Sequence, residues 1–248
     1  MYLIHRKRII PVLLLHNGGL VKSKKFKNYT YVGDPINAVR IFNDKEVDEI
    51  VILDIDASKN CQSPNLEMIS DITGEAFMPL AYGGGITTLE QAEKLFFNGI
   101  EKVVLNTVLH TPKGFDLVES IAKRYGNQSV IASIDLKDNL FGKKQLYTHS
   151  NRKTVKTSIS DFVRKCEAAG VGEIMLNSVP RDGTYAGYDL ELVKQMAEAI
   201  SIPMIICGGA STKQDFIQAE EKGASAMAAG SMFVFQRPHN AVLISYDI

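Results

Sequence analysis

Two glycine turns, Tyr82-Gly83-Gly84-Gly85 and Cys207-Gly208-Gly209, have the composition that holds a phosphate. Each closes a short apolar run, Met78 to Ala81 or Met204 to Ile206, and opens a segment with a helical pattern. Glycine lets backbone N–H groups come close to an anion, and the partial positive charge at a helix start favours it there. Gly208 follows Gly84 by 124 positions (208 − 84), half of the 248 residues, and the next strand ends, Asn106 and Gly230, repeat that offset (230 − 106). The chain therefore reads as two related halves, roughly residues 1–125 and 126–248, each carrying one cup. Two cups point to a small ligand with two phosphates. A single glycine pair is as readily a tight turn with no ligand; matched pairs at one mouth are harder to ascribe to turns alone.

The elements that must position these turns alternate. Strand-like apolar runs occur at Ile9 to Leu15, Ile50 to Leu53, Phe77 to Ala81, Val103 to Leu105, Val130 to Ile134, Ile174 to Leu176, Met204 to Ile206 and Ala226 to Ala229. They are apolar nearly throughout, as strands buried on both faces are. Helical patterns between them are clearest at Pro35 to Asn43, Leu89 to Phe97, Phe115 to Tyr125, Ile159 to Ala169, Leu190 to Ile200 and Lys213 to Lys222. Asp34-Pro35 supplies a helix cap and first turn, and Asn98-Gly99, Ala169-Gly170 and Lys222-Gly223 supply stops. About eight strand–helix units with half-chain symmetry predict a single closed (β/α)8 TIM barrel over residues 1–248 rather than an open sheet. Two connections are long: Gly18 to Gly33, with Lys22, Lys24, Lys25 and Lys27, and Asp138 to Thr157, with room for a small hairpin through Leu146-Tyr147-Thr148. Both follow strands, so both are candidate lids at the C-terminal mouth. After Ser231 little room remains for a full eighth helix, and Ala241 to Ile244 reads as an extended tail.

Lysine plus arginine equal aspartate plus glutamate at 28 each, so the overall charge favours neither nucleic acid nor an acidic membrane, and an anionic ligand has to be held locally. Cys61, Cys166 and Cys207 are far apart and odd in number, which argues against a disulfide framework and for a reducing cytoplasm. Arg6-Lys7-Arg8 before Ile9 to Leu15 imitates a secretory signal, but the run is short and His16-Asn17-Gly18-Gly19 follows it; a buried first strand fits better. No stretch approaches the ~20 apolar residues of a membrane span. The histidines (His5, His16, His110, His149, His239) have no ligand spacing, so neither a metal nor a cofactor is expected.

Seven motifs, taken in order along nearly the whole chain, carry a more specific reading. Arg8-Ile9-Ile10-Pro11, Leu53-Asp54-Ile55-Asp56-Ala57-Ser58, Gly83-Gly84-Gly85-Ile86, Asn106-Thr107, Ser133-Ile134-Asp135, Asn177-Ser178-Val179-Pro180-Arg181-Asp182-Gly183-Thr184 and Gly208-Gly209-Ala210 resemble the cyclase subunit of imidazole glycerol phosphate synthase. That resemblance implies a half-barrel repeat, a bis-phosphate substrate, and a glutaminase subunit at the N-terminal face that sends ammonia through the barrel. It also implies one phosphate cup at Gly84, Gly85, Asn106 and Thr107, and the other at Asp182, Gly183, Gly209, Gly230 and Ser231.

By the same resemblance Asp135 is one of two catalytic aspartates, and Leu14 stands where the other would be. Leucine moves no proton, and losing one general acid/base costs about 10²–10⁴ in rate. His16 lies two positions on and is a weak substitute. Asp54 matches a pocket acid and Lys22 the lysine of the mobile first loop, a solvated or salt-bridged rim being the alternative reading of both. Asn177 and Pro180 replace the usual threonine and aspartate, and Cys207 the usual serine. Arg8, Glu49, Lys102 and Glu173, each just before a strand, match the charged ring that gates ammonia, or else form a salt-bridged floor that serves stability alone. The expected function is thus a divergent barrel that docks a glutaminase and conducts ammonia for amidination of a surface-glycan sugar, passing it to a downstream sugar amidotransferase. The alternative is a working cyclase of histidine biosynthesis, with a related phosphoribosyl isomerase ranked last.

Overall fold

A computed structural model describes residues 7–248, so Arg6 and His5 lie outside the described residues. The order of elements is β1 (Arg8–His16), a hairpin of β2 (Gly19–Lys24) and β3 (Lys27–Gly33), α1 (Pro35–Asp44), β4 (Ile50–Asp54), α2 (Leu66–Thr73), β5 (Leu80–Gly83), α3 (Leu89–Phe97), β6 (Lys102–Leu105) and α4 (Gly114–Tyr125). The second half continues with β7 (Val130–Asp138), a hairpin of β8 (Lys144–Thr148) and β9 (Lys153–Val155), α5 (Ile159–Ala168), β10 (Glu173–Ser178), α6 (Leu190–Ala197), β11 (Met204–Cys207), α7 (Lys213–Glu221) and β12 (Ala226–Ala229). It ends with a single turn, α8 (Ser231–Val234), and the short pair β13 (Phe235–Gln236) and β14 (Ala241–Val242).

Strands β1, β4, β5, β6, β7, β10, β11 and β12 pair in parallel, and β12 returns to β1, so the sheet is a closed barrel. Alternate residues face inward, which separates two cores. Ile10, Val51, Ala81, Val104, Ile131, Met175, Ile205 and Ala226 fill the barrel, while Leu13, Ile52, Leu105 and Ile206 pack outward against the helices. The half-chain repeat is also structural: β5 and β11, α3 and α7, and β6 and β12 match residue for residue at the offset of the glycine cups. Asn106 (φ −134°, ψ −78°) and Gly230 (φ −112°, ψ −78°) share one backbone conformation, each opening a four-residue turn of helix. Gln91 and Asp215, at the third position of α3 and α7, both reach back to the backbone N–H of the capping threonine, Thr88 or Thr212.

Several expected boundaries move. The run from Phe77 is not strand until Leu80; Phe77 is exposed, its N–H donates to the Asn43 side chain, and Pro79 has no N–H for a ladder. The helix expected to reach Ile200 ends at Ala197. A further helix, α2, capped by Asn65, fills the connection between β4 and β5. The expected basic first loop is a β-hairpin continuing antiparallel from β1, closed by Lys25 and Phe26 at φ +55° and +58°, the pair of left-handed residues that two-residue hairpins favour. The tail is partly ordered, β14 pairing with β13 and the Tyr246 hydroxyl donating to the Ile9 carbonyl at 2.7 Å. Among the described residues no helix is long and apolar enough to cross a membrane.

Candidate functional site

The glycine turns lie at the C-terminal ends of β5 and β11. Backbone crowding explains why these positions are glycine: a Cβ on Gly84 (φ +132°) would lie 2.6 Å from the Asp54 carbonyl oxygen, and one on Gly209 (φ +107°) 2.2 Å from the Gly187 oxygen. Each turn lines its own side of the mouth. A cavity of about 130 Å³ is bounded by Gly84, Gly85, Asn106, Thr107, Asp54 and Asp135. A smaller one of about 40 Å³ is bounded by Gly183, Gly209, Gly230, Ser231, Asp182 and Lys22. Leu14, Leu53, Phe26 and Asn177 line both, so the two cavities meet over the barrel core.

Asp135, on β7, is buried and accepts a hydrogen bond from the Asn106 amide at 3.1 Å. Burial outweighs that bond, and the nearby Asp182 charge adds to it; its carboxyl is pushed up to about 7, where one group both takes and gives a proton near neutral pH. Leu14, on the inward face of β1, offers only hydrocarbon to the same space. Asp54 is also raised by burial, although its Oδ1 accepts the N–H groups of Asp56 and Ala57 at 3.0 Å and so shapes the β4 turn. Cys207 is a buried thiol whose pKa rises to about 12, chiefly through desolvation, so it stays protonated.

Two charged residues of the second cavity, Lys22 and Asp182, are tied to the first hairpin. Lys22 is not on a solvated rim: it is 5% exposed, its stem lies in the hairpin, and its ammonium donates to the Val12 carbonyl. A Cβ on Gly230 would lie 2.7 Å from its Nζ, which places the amine beside the second cup. Desolvation lowers it to about 8, with Asp182 and Cys207 pulling the other way. Asp182 lines the second cavity and also holds the first hairpin through one carboxylate oxygen. Its Oδ2 accepts Ser23 Oγ–H at 2.7 Å and Phe26 N–H at 3.3 Å, and the Asp182 carbonyl accepts Lys25 N–H at 2.9 Å. It latches the first hairpin across the mouth.

The residues that sequence reasoning missed are on the two hairpins. Phe26 sits edge-on to His149 (5.3 Å between ring centres), and Tyr29 stacks at a tilt on His16 (4.8 Å). His16 Nδ1 lies 2.9 Å from the Asp56 carboxylate, so this imidazole is engaged at the rim rather than standing in for an acid at Leu14. The only sequence signal was the strand-like Leu146-Tyr147-Thr148; Lys25-Phe26 carries none of the Gly, Asn or Asp that mark a two-residue hairpin turn, and which hairpin meets which is a long-range matter.

At the opposite end of the barrel, Arg8, Glu49, Lys102 and Glu173 meet in one closed ring of ion pairs. Arg8 bonds Glu49 and Glu173 at 2.6 Å each, and Lys102 bonds them at 3.0 and 2.8 Å. Burial alone would raise the Glu173 carboxyl, but its bonds to Arg8 and Lys102 hold it below the usual value. Each buried carboxylate thus has two cationic partners, the condition under which burial of charge is tolerable. Among the described residues no cluster of His, Cys, Asp or Glu is placed to hold a metal ion.

Residues 8–238 match the family described as "Histidine biosynthesis protein". A Pseudomonas aeruginosa protein named "Putative imidazole glycerol phosphate synthase subunit hisF2" is 50% identical over 242 residues, covering 97% of this chain and 96% of that one. Proteins named "Imidazole glycerol phosphate synthase subunit HisF" are 37% identical in Alkaliphilus metalliredigens, over 92% of this chain and 90% of that one, and 37% in Chlorobium phaeobacteroides, over 93% and 91%.

Proposed function

Because the chain belongs to the histidine biosynthesis family, as a HisF-like barrel subunit of the imidazole glycerol phosphate synthase type, we propose that it binds a bis-phosphate ligand and conducts ammonia without being an efficient cyclase. In this reading a cytoplasmic glutaminase docks on the barrel floor, and ammonia passes the ring of Arg8, Glu49, Lys102 and Glu173 into the barrel. The acceptor is a sugar destined for a surface glycan, handled by a downstream amidotransferase, and the bis-phosphate ligand regulates the flow.

One observation carries this reading: the two glycine cups line adjoining cavities, Asp135, with its carboxyl at about 7, lines the larger, and Leu14 lines both. Backbone N–H groups of consecutive left-handed glycines, Gly84 with Gly85 and Gly208 with Gly209, suit phosphate without any arginine. Cyclisation needs protons placed and removed on both sides of the new ring, and only one side has a group for it. The second reading, a working cyclase, is favoured by the Asp135 carboxyl at about 7, which serves as acid and base in turn.

The test is ammonium-dependent turnover of the ribulosyl-aminoimidazole bis-phosphate precursor by the purified chain and by Leu14→Asp. A second acid recovers about 10²-fold or more in rate if the missing group is what limits chemistry. Equal rates in the two proteins would refute the reasoning, and a wild-type rate typical of enzymes, about 10 s⁻¹, would establish the cyclase reading instead.

A further inference from the structure

The balance of charge over the whole chain hides a separation within it. Residues 17–33 and 137–157, the two hairpin segments at the mouth, hold ten lysines and arginines and one carboxylate, Asp138; the rest of the chain holds 18 cations (28 − 10) and 27 carboxylates (28 − 1). The two segments are thus nine charges positive and the remainder nine negative. Asp138 is already neutralised by Lys144 at 2.6 Å, while Lys24, Lys25 and Lys27 on the first hairpin and Lys143, Arg152 and Lys153 on the second are exposed. The hairpins touch where Phe26 and Tyr29 meet His149, so their cations share one rim.

The outermost point of that rim is apolar. Strand β7 runs three residues past Asp135 before its turn, which carries Asp138 about 10 Å along the strand beyond the mouth. The turn, Asn139 to Lys143, is held by its own bonds: the Asn139 side chain accepts the N–H groups of Phe141 and Lys143 at 2.9 Å each, and Gly142 N–H donates to the Asn139 carbonyl at 3.0 Å. The side chains of Leu140 and Phe141 are not needed to shape it, and they are 101% and 93% exposed, outside both hydrophobic cores. Two large apolar side chains left bare on a protruding, preorganised tip mark a contact surface.

We propose that this tip docks the barrel mouth on the surface of an anionic lipid bilayer, Leu140 and Phe141 entering the acyl boundary while the lysines and arginine of the two hairpins meet the headgroup phosphates. Shape selects lipid over a protein partner: a convex tip needs a matching socket in a folded partner, but a fluid bilayer opens to receive it. Charge selects an anionic leaflet, since each lysine or arginine near such a surface adds to the attraction and the hairpins carry no unpaired carboxylate to oppose it. Docking of this kind needs neither the phosphate cups nor ammonia. It leaves the ring of Arg8, Glu49, Lys102 and Glu173, at the opposite end of the barrel, facing away from the lipid.

Vesicle co-sedimentation at about 0.1 M salt tests this, with vesicles of phosphatidylglycerol and phosphatidylcholine in equal parts set against vesicles of phosphatidylcholine alone. Wild type is expected to partition onto the mixed vesicles at least about 10²-fold more strongly than onto the neutral ones, and to be released as salt rises. The double variant Leu140→Ser, Phe141→Ser is expected to partition about tenfold more weakly with an unchanged melting temperature, because neither side chain is buried in the fold. The triple variant Lys143→Gln, Arg152→Gln, Lys153→Gln keeps the apolar tip and is expected to lose about 10²-fold on the mixed vesicles. Failure of wild type to partition onto the mixed vesicles, or full retention by the double variant, would overturn the proposal. Self-association in place of vesicle binding, abolished by the double variant, would also overturn it and assign the tip to a second copy of the chain.

Discussion

Replacing Lys22 with methionine should stabilise the ligand-free protein, although it deletes a residue that matches the family's loop lysine. Burial holds the Lys22 amine at about 8 against an ordinary 10.5, which at about 1.4 kcal/mol for each pH unit corresponds to about 3 kcal/mol against the charged form. Its bond to the Val12 carbonyl offsets about 1 kcal/mol of this, so Lys22→Met gains about 2 kcal/mol, or roughly 4–8 °C in Tm for a chain of this size. The pH dependence has a definite sign. Between about 8 and 10.5 the unfolded amine is protonated and the folded one is not, so wild-type stability rises with pH across that window while Lys22→Met shows no such rise. The advantage of the variant is therefore full at pH 7 and gone near pH 10.5. A bound phosphate beside Gly230 gives the charged amine a partner, so phosphate should raise the Tm of wild type more than that of Lys22→Met. Differential scanning calorimetry at pH 7 and pH 10, with and without phosphate, reads all of this. A variant less stable than wild type at pH 7, with no pH dependence in the difference, would refute the reasoning.

Asp135→Asn should also stabilise the chain, with the opposite pH dependence. The folded carboxyl titrates at about 7 against an ordinary 3.8, so wild type loses stability as pH rises from about 4 to 7; the asparagine variant does not, and at pH 8 should be more stable by a few kcal/mol in urea unfolding, at about 1.4 kcal/mol per pH unit. Any ammonia-dependent chemistry should fall at least about 10²-fold in the same variant. Lys102→Ala leaves Glu49 and Glu173 with Arg8 alone and should cost about 3–5 kcal/mol in the same urea experiment. It should also change glutamine-dependent ammonia transfer while leaving inorganic phosphate binding at the far end of the barrel unaltered.

The repeat was legible in the sequence because it is local. Glycine turns, strand ends and caps recur at one offset, and the structure returns the same offset in β5 and β11, in α3 and α7, and in the shared backbone of Asn106 and Gly230. The ionic floor was legible for a related reason: a charged residue just before an apolar strand has to sit at the strand's N-terminal end. What the pattern could not carry was side-chain destination. Lys22 looks like one lysine among several in a basic stretch, and only the Asp182 latch, 159 residues from Ser23, folds the hairpin so that the amine is buried. The apolar run from Phe77 imitates a strand because periodicity does not register Pro79 and its missing N–H.

The most direct measurement of the central claim is a phosphorus-31 NMR spectrum of the ribulosyl-aminoimidazole bis-phosphate precursor with stoichiometric protein and excess ammonium. If two cups bind and the acid missing at Leu14 prevents cyclisation, both phosphate resonances shift on binding and then persist, with no signal from imidazole glycerol phosphate over many minutes. Rapid appearance of imidazole glycerol phosphate, or a shift in one resonance alone, would contradict the account.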